Sequence, residues 1–187
     1  MAMTYPRQER ATVVSLAACG AHHRLVPAVD GIAEHVLPGH FVAVAIGPAR
    51  SSALLLRRAF SIHWADPVRG LLEVAFTQRG LGTQQLASMR AVEELDVVAP
   101  LGTPFPLAPH PGPAVLVGGG HGIAPLIPLA RRLSDAGAPD VPFVCGAASA
   151  VRLLGVEQAR CLSGRVTVTT DDGSAGVRGQ VTGQLPA

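Results

Sequence analysis

The chain has 187 residues, a length that suits one large domain or two small ones. Hydrophobic residues make up 48% of it, which is enough to form a core. Only 15% of the residues are charged and the formal net charge is +2, which argues against nucleic acid or another strongly charged partner. Arg, Pro, His or Gly interrupts every apolar run before it reaches the length of a membrane span. No signal-peptide-like apolar region precedes Arg7, Glu9 and Arg10, so a cytoplasmic location is expected.

Three cysteines stand far apart, at Cys19, Cys145 and Cys161. None forms a Cys-x-x-Cys pair, the spacing typical of zinc and iron–sulfur ligands. The chain has seven histidines, and their one adjacent pair, His22-His23, falls at a predicted turn. We therefore expect buried or incidental thiols in a reducing compartment, and no metal or iron–sulfur site within the chain.

The first half of the chain alternates short β-rich runs with turn residues. The runs are Ala11–Ala18, Leu25–Val29, Phe41–Ile46, Leu54–Ile62, Leu71–Phe76 and Leu95–Ala99. Breakers such as Asp30-Gly31 and Pro38-Gly39 separate them. Strands at this spacing predict a small six-stranded antiparallel barrel, interrupted by one short helix at Thr83–Met89.

Five prolines fall within Pro104–Pro113, a segment that can continue neither a helix nor a strand. We interpret it as the linker between two domains, residues 1–109 and 110–187. Beyond it, strands and helices alternate, which predicts a parallel sheet. The strands are predicted at Val115–Val117, Phe143–Cys145 and Val166–Thr170, and the helices at Ala124–Ala136 and Ala150–Ala159.

The most informative feature is the glycine-rich turn after the first strand of the second domain. Glycines let a backbone approach a phosphate closely, and the helix N-terminus behind them offers N–H groups and partial positive charge. The common G-x-G-x-x-G fingerprint does not fit, whereas G-x-G-x-x-P fits at Gly120, Gly122 and Pro125. We take Gly119, Gly120, His121 and Gly122 as candidate ligand-binding residues. The alternative is a tight strand-to-helix turn that binds nothing.

Arg57-Arg58-Ala59-Phe60-Ser61 places two arginines side by side in an apolar strand. One of them should face the core, and a bound anion would explain this, because a guanidinium holds phosphate through two hydrogen bonds. Phe60 offers a flat surface for an aromatic ring, and Ser61 offers a hydroxyl. The alternative is an edge strand with solvated arginines.

A second glycine turn, Gly80-Leu-Gly82-Thr83, precedes the helix predicted in the first half. Glycines followed by a threonine cap would make another anion-binding helix N-terminus. An ordinary capped turn is the alternative.

Together these three segments resemble the ferredoxin–NAD(P) reductase superfamily, in which an antiparallel flavin-binding barrel precedes a nicotinamide-nucleotide domain. The family's flavin motif R-x-[YF]-S corresponds to Arg58–Ser61, and its second flavin turn corresponds to Gly80–Thr83. Its nucleotide-domain turn G-x-G-x-x-P corresponds to Gly120–Pro125. The resemblance implies that Arg58, Gly80, Gly82 and Thr83 hold the diphosphate of an FAD, with Phe60 and Ser61 beside the flavin ring.

A longer ordered set of motifs is similar to the electron-transfer subunits of the two-subunit, NAD-linked dihydroorotate dehydrogenases. The set includes Pro38–Phe41, Arg57–Ile62, Gly80–Thr83, Pro100–Phe105, Val117–Pro125 and Thr170–Gly176. This resemblance implies electron transfer between an NAD(P) nucleotide and the FMN of a catalytic dihydroorotate dehydrogenase subunit or another redox partner. It also implies a part in pyrimidine biosynthesis.

The sequence also departs from that family. The family subunit continues through another strand–helix unit with a Cys-Gly-Pro turn and ends in a four-cysteine tail that binds a [2Fe–2S] cluster, whereas this chain ends at Ala187. Ala59 replaces the usual proline, and a turn that bears glycine in the family reads Arg90-Ala-Val-Glu-Glu94. Three hypotheses follow: a flavin-dependent oxidoreductase, a non-redox binding module or repurposed catalyst on the same scaffold, or a fragment of a longer reductase.

Three expectations concern the second domain. No acid ends the strand Phe143–Cys145, where a carboxylate would select NAD, and Arg152 is nearby, so the choice between NAD and NADP stays open. Asp171-Asp172 is interpreted as part of a hydrated surface turn. Without a fourth parallel strand, Val115–Val117 should expose an edge that a second copy, a partner subunit or a further part of a longer chain covers.

Overall fold

A computed structural model of the chain describes residues 6–47, 54–108 and 112–185. The chain divides into two compact units, Met1–Pro104 and Phe105–Ala187. Of the proline-rich linker predicted from the sequence, residues 109–111 lie outside the described residues.

The first unit is a closed antiparallel barrel of six strands, as the sequence predicts. One helix, α1 (Leu81–Ala87), connects the fifth strand to the sixth, and a short 3-10 turn, Ala33–His35, lies between the second and third. The strands are β1 (Arg7–Cys19), β2 (His22–Ala28), β3 (Phe41–Ala45), β4 (Arg58–Asp66), β5 (Leu71–Phe76) and β6 (Glu94–Leu101). Their order around the barrel is β1-β2-β5-β4-β3-β6.

The barrel core follows from the alternation of side chains along each strand. In β3, Val42 and Val44 are buried while their neighbours are half-exposed, because successive side chains point to opposite faces. The same inward set continues around the barrel through Leu25, Ile62 and Val97. Closing the sheet leaves no free barrel edge, so the first unit holds its strands without a partner.

The fourth strand begins later than predicted. The expected range was Leu54–Ile62, and β4 spans Arg58–Asp66. The antiparallel pairing between β3 and β4 ends at Val44, which lies opposite Arg58, the first residue of β4. Leu54 Cδ2 lies 3.6 Å from the position that a Cβ atom on Gly82 in α1 would occupy, whereas Leu55 and Leu56 are exposed. Only Leu54 of this apolar run therefore contacts the helix.

The second unit is a parallel sheet of four strands. The strands are β7 (Leu116–Gly119), β8 (Phe143–Ala147), β9 (Val166–Thr170) and β10 (Val177–Arg178), and their order in the sheet is β10-β9-β8-β7. The helices of the unit are α2 (Leu126–Asp135) and α3 (Val156–Leu162), and 3-10 turns span Gly120–Ile123, Ala150–Arg152 and Val181–Gln184. Within the described residues, no helix is long and apolar enough to span a membrane.

Three details of this unit differ from the prediction. The helix predicted at Ala124–Ala136 begins at Leu126, because Pro125 is its N-cap. The helix predicted at Ala150–Ala159 divides into a 3-10 turn and α3, because Gly155 adopts a left-handed φ of 71° between them. Strand β10 was not predicted, since two residues are too short to show a period-two pattern.

β7 lies at one side of this sheet, with β8 as its hydrogen-bonded neighbour. In the part of the chain that the structure describes, no strand pairs with its other side. This is the open edge that the sequence led us to expect.

Candidate functional site

Arg58, the first residue of β4, lies against the beginning of α1. Its Nε atom is 3.4 Å from the position that a Cβ atom on Gly82 would occupy. Its Nη1 donates a hydrogen bond to the backbone oxygen of Leu56, which holds the guanidinium in place. The fold thus brings together two of the predicted site residues, Arg58 and Gly82, from separate parts of the sequence.

The neighbouring Arg57 has a different role. Its Nη1 donates to the backbone oxygen of Asp96 at 3.0 Å, and its Nη2 donates to Asp96 Oδ1 at 2.9 Å. Gln8 donates to the same carboxylate. The two adjacent arginines therefore do not share one anion: Arg57 connects to β6, and Arg58 alone faces α1. The sequence carried no local signal for Asp96 as the partner.

The Gly80–Thr83 segment forms the first turn of α1, which starts at Leu81 and not at Thr83 as predicted. Thr83 Oγ1 accepts hydrogen bonds from the N–H groups of Arg79 at 2.8 Å and Gly80 at 3.2 Å. The hydroxyl donates to the Gly80 oxygen at 3.1 Å. A Cβ atom on Gly80 would meet nothing within 4 Å, so the turn is open on that side.

Phe60 and Ser61 follow Arg58 along β4. Phe60 is half-buried, and its ring packs on Phe76 with the centroids 5.7 Å apart and the planes tilted by 55°. Phe76 in turn stacks on His23, with a centroid distance of 5.3 Å. Ser61 is exposed. The strand therefore presents part of an aromatic ring, anchored in the core, next to an accessible hydroxyl.

The glycine turn of the second unit joins β7 to α2. A Cβ atom on Gly118 would lie 2.8 Å from the Cα of Ile123, so only glycine permits this close approach. Gly120 adopts a left-handed φ of 55°. A Cβ atom on Gly120 or Gly122 would meet nothing within 4 Å, so this part of the turn faces open space.

His121 lies inside this turn and is half-buried. Its backbone oxygen accepts a hydrogen bond from Ala124 at 3.0 Å, which closes the 3-10 turn ahead of α2. Gly119, the last residue of β7, is exposed. The four residues predicted for this turn are consecutive in the chain and stay together at the carboxyl end of β7.

Val181 covers the carboxyl end of β8, a contact that the sequence did not reveal. A Cβ atom on Gly146 would lie 2.3 Å from Val181 Cγ1 and 2.6 Å from Thr169 Oγ1, so glycine is required there. On the neighbouring strand, a Cβ atom on Gly119 would be 4.0 Å from Val181 Cγ2. The segment after β10 therefore crosses the carboxyl edge of the sheet.

The loop after β9 is exposed, as predicted, and is also extensively hydrogen-bonded. Asp172 Oδ1 accepts hydrogen bonds from the Ser174 N–H at 2.9 Å and from the Ser174 hydroxyl at 2.6 Å. These bonds lower the pKa of the Asp172 carboxyl. Ser174 Oγ also accepts a hydrogen bond from the N–H of Ala150 at 2.7 Å. The loop is thus tied to the turn that follows β8.

The three cysteines differ in their surroundings. Cys145 is buried in β8, and burial raises the pKa of its thiol to about 11, so the thiol stays protonated. Cys19 and Cys161 are exposed. Among the described residues, no group of three or more His, Cys, Asp or Glu side chains is arranged to hold a metal ion.

No protein-family model matches the sequence. The chain is 36% identical over 178 residues to the dihydroorotate dehydrogenase B (NAD(+)) electron transfer subunit of Geobacillus thermodenitrificans, across 94% of this chain and 68% of that protein. The chain belongs to the family of dihydroorotate dehydrogenase B electron transfer subunits. The Shouchella clausii member is 42% identical over 147 residues, which cover 78% of this chain and 55% of that protein. The chain thus spans between about half and two-thirds of the length of these relatives.

Solved structures agree with this family assignment. The NADH-dependent reduced ferredoxin-NADP oxidoreductase, a protein of flavin-based electron bifurcation, superimposes with a TM-score of 0.80 at 28% identity, over 92% of this chain and 60% of that one. The ferredoxin reductase of carbazole 1,9a-dioxygenase superimposes with a TM-score of 0.73 at 18% identity, over 96% and 56% of the two chains. The second similarity shows a shared fold only. The predicted reductase-like architecture is confirmed.

Proposed function

We propose that this electron transfer subunit binds FAD on its barrel and transfers electrons between a nicotinamide nucleotide and a partner redox enzyme. The observation that carries the proposal is the guanidinium of Arg58 beside Gly82 in the first turn of α1, a turn that is open at Gly80. It lies in a chain that is similar over 94% of its length to an electron transfer subunit. The non-redox alternative is not favoured by these relatives.

The residues of the barrel fit a flavin nucleotide. A diphosphate needs a cation and closely approaching backbone, which Arg58 and the glycines Gly80 and Gly82 supply. Thr83 keeps the turn in shape by capping it from within. Phe60 offers an apolar surface and Ser61 an accessible hydroxyl for the ring system. When bound, the flavin supplies the redox chemistry, while the protein holds and orients it.

The second unit fits the diphosphate of a nicotinamide nucleotide. Parallel sheets bind ligands outside the carboxyl ends of their strands, and the turn Gly119–Gly122 lies at such an end. Open space at Gly120 and Gly122 leaves room for phosphate oxygens near the backbone. We therefore assign Gly119, Gly120, His121 and Gly122 to this nucleotide, and NAD(P) to the domain of residues 110–187. Residues 1–109 form the FAD domain.

The proposed partner is an FMN-containing catalytic subunit of the dihydroorotate dehydrogenase type, which places the chain in pyrimidine biosynthesis in the cytoplasm. The 187 residues contain three cysteines, and one of them is a buried, protonated thiol. A [2Fe–2S] cluster takes four protein ligands, usually thiolates. We therefore propose that these residues hold no cluster of their own. Iron and sulfide analysis after anaerobic reconstitution tests this, and stoichiometric iron would contradict it.

We further propose that the open side of β7 is covered in solution, by a second copy of the chain or by a partner. Unpaired N–H and C=O groups along a strand invite pairing with another chain. Light scattering at low micromolar concentration distinguishes a homodimer from a monomer. A monomer with slow amide exchange along Leu116–Gly119 would contradict the proposal of a homodimer.

The FAD proposal is tested by titrating the purified chain with FAD in a calorimeter and recording its visible spectrum. Arg58→Ala should weaken FAD binding by about tenfold or more, because a charge-assisted hydrogen bond to phosphate contributes about 1.5–3 kcal/mol. Arg69→Ala removes the same charge from the exposed β4–β5 turn and should leave the affinity unchanged. A wild-type chain without flavin absorbance and without FAD affinity would reject the proposal.

A further inference from the structure

Three leucines with exposed side chains lie beside the proposed diphosphate site of the barrel. Leu55, Leu56 and Leu81 are each at least 70% exposed, and we call these three residues the leucine patch. A single apolar side chain on a surface needs no explanation, whereas apolar side chains grouped beside a polar site are typical of a binding surface. The position of the patch relative to Arg58 indicates what binds there.

Two contacts join the first two leucines of the patch to the start of α1. Leu54 Cδ2 lies 3.6 Å, and Arg58 Nε 3.4 Å, from the position that a Cβ atom on Gly82 would occupy. These contacting residues flank the two leucines along the chain. Leu81, the third member of the patch, is the first residue of α1 and precedes Gly82. The patch is thus built around one glycine from two separate parts of the sequence.

Arg58 is also bonded directly to the patch. Its Nη1 donates a hydrogen bond to the backbone oxygen of Leu56, so the cation and this leucine belong to one local structure. A guanidinium beside exposed apolar side chains suits a ligand that is anionic at one point and apolar next to it. A nucleotide has this character, because its phosphates are followed by a flat base.

A dinucleotide extends in two directions from its diphosphate. Along β4, Phe60 and Ser61 follow Arg58, and these are the residues that we propose to hold the flavin ring. The first two leucines of the patch precede Arg58, so the patch borders the diphosphate site in the other direction along the chain. In FAD the group beyond the diphosphate is adenosine, whose uncharged purine suits contact with leucine side chains.

We propose that the leucine patch binds the adenosine half of FAD and thereby selects FAD over FMN. Contact with the adenine ring removes the apolar surface of the leucines from water, a gain that a mononucleotide cannot supply. The role is one of binding and not of catalysis. The inference rests on the proposed function, because it requires a flavin nucleotide whose diphosphate lies at Arg58.

The test compares the binding of FAD, FMN and ADP to the full chain by calorimetry. FMN carries the flavin without adenosine, and ADP carries adenosine and the diphosphate without the flavin. The wild type should bind FAD more tightly than FMN. Leu56→Ser and Leu81→Ser should each weaken FAD and ADP binding by about tenfold, equivalent to about 1.4 kcal/mol, and leave FMN binding unchanged.

Val68→Ser is the matched control for the leucine variants. Val68 is 95% exposed in the turn between β4 and β5, so its substitution removes an exposed apolar side chain away from the patch. It should change none of the three affinities. Circular dichroism checks that each variant is folded.

Equal wild-type affinities for FAD and FMN would overturn the proposal, and so would leucine variants that bind FAD as tightly as the wild type. Equal losses of FAD and FMN affinity would also overturn it, because they would assign the leucines to the flavin half or to the fold. Leucine variants that keep their FAD affinity and lose self-association in light scattering would assign the patch to a protein interface instead. If neither FAD nor FMN binds the wild type, the proposed flavin function itself is wrong, and the adenosine site is rejected with it.

Discussion

The Nε atom of Arg58 lies 3.4 Å from the point that a Cβ atom on Gly82 would occupy. Such a Cβ would also lie 3.6 Å from side-chain carbons of Ile46 and Leu54, which are ordinary van der Waals distances. Gly82 does not have the left-handed φ that favours glycine. The fold thus tolerates a side chain at this position, so we infer that the glycine there serves the ligand of Arg58.

Gly82→Ala should therefore separate stability from binding. Alanine in a helix is favoured over glycine by about 1 kcal/mol, so the melting temperature should rise or stay constant. FAD affinity should fall, because the methyl group fills the space between the guanidinium and the helix backbone. Calorimetry measures both quantities, and Gly164→Ala, where a Cβ meets nothing within 4 Å, is the control. An unchanged FAD affinity would refute the inference.

Thr83→Val should destabilise the barrel unit by about 1 kcal/mol, the typical cost of losing a cap. The variant keeps the side-chain shape and loses the hydroxyl that bonds Arg79 and Gly80. Thr83→Ser keeps the hydroxyl and should retain most of the stability. Urea denaturation followed by circular dichroism compares the two variants. Equal stabilities for the valine and serine variants would show that the hydroxyl does not stabilise the turn.

Val92→Gly should stabilise the protein by about 1 kcal/mol, because a β-branched residue is disfavoured in the left-handed region. Val92 has a φ of 67° and is 84% exposed, so the substitution loses little packing. Its N–H donates to the Val13 oxygen at 2.8 Å, which holds this conformation in the turn before β6.

Val68→Gly is the control for Val92→Gly. Val68 is 95% exposed and has no left-handed φ, so glycine should give no gain at this position. Thermal denaturation compares the two variants with the wild type. A rise in melting temperature for both variants, or for neither, would contradict the assignment of backbone strain to Val92.

Stability should decrease as the pH falls from 7.5 to 5.5, in part through His40. Burial lowers the pKa of His40, and its Nδ1 accepts a hydrogen bond from the Leu37 N–H at 3.0 Å. The unfolded chain therefore takes up the proton first. The stabilisation that neutral His40 contributes is fully present above about pH 6.5, the pKa of a histidine in an unfolded chain. It is lost as the pH falls below that value towards the lower pKa of His40 in the folded protein.

His40→Asn should flatten this pH dependence, since its amide oxygen can still accept the hydrogen bond and does not titrate. Melting temperatures of the wild type and the variant across this pH range provide the measurement. A variant that loses as much stability as the wild type on acidification would assign the effect to other groups.

The sequence by itself determined most of the strands and helices and the positions of the two glycine turns. Alternating apolar residues predicted the six barrel strands, and the change to strand–helix alternation predicted the parallel sheet. The turns at Gly80–Thr83 and Gly119–Gly122 were also evident, because a glycine turn ahead of a helix is a local pattern. The observed helix boundaries differ from the predicted ones where a single residue sets them, as Pro125 does for α2 and Gly155 for α3.

Only the tertiary structure decided how distant residues share these sites. It assigned Arg57 to Asp96 and left Arg58 beside Gly82. It also placed Asp171 against Ala147 at the end of a strand that has no acid of its own. These relationships depend on strand register and on the paths of loops across the sheet. They join residues that are remote in the chain, so no local periodicity or spacing encodes them.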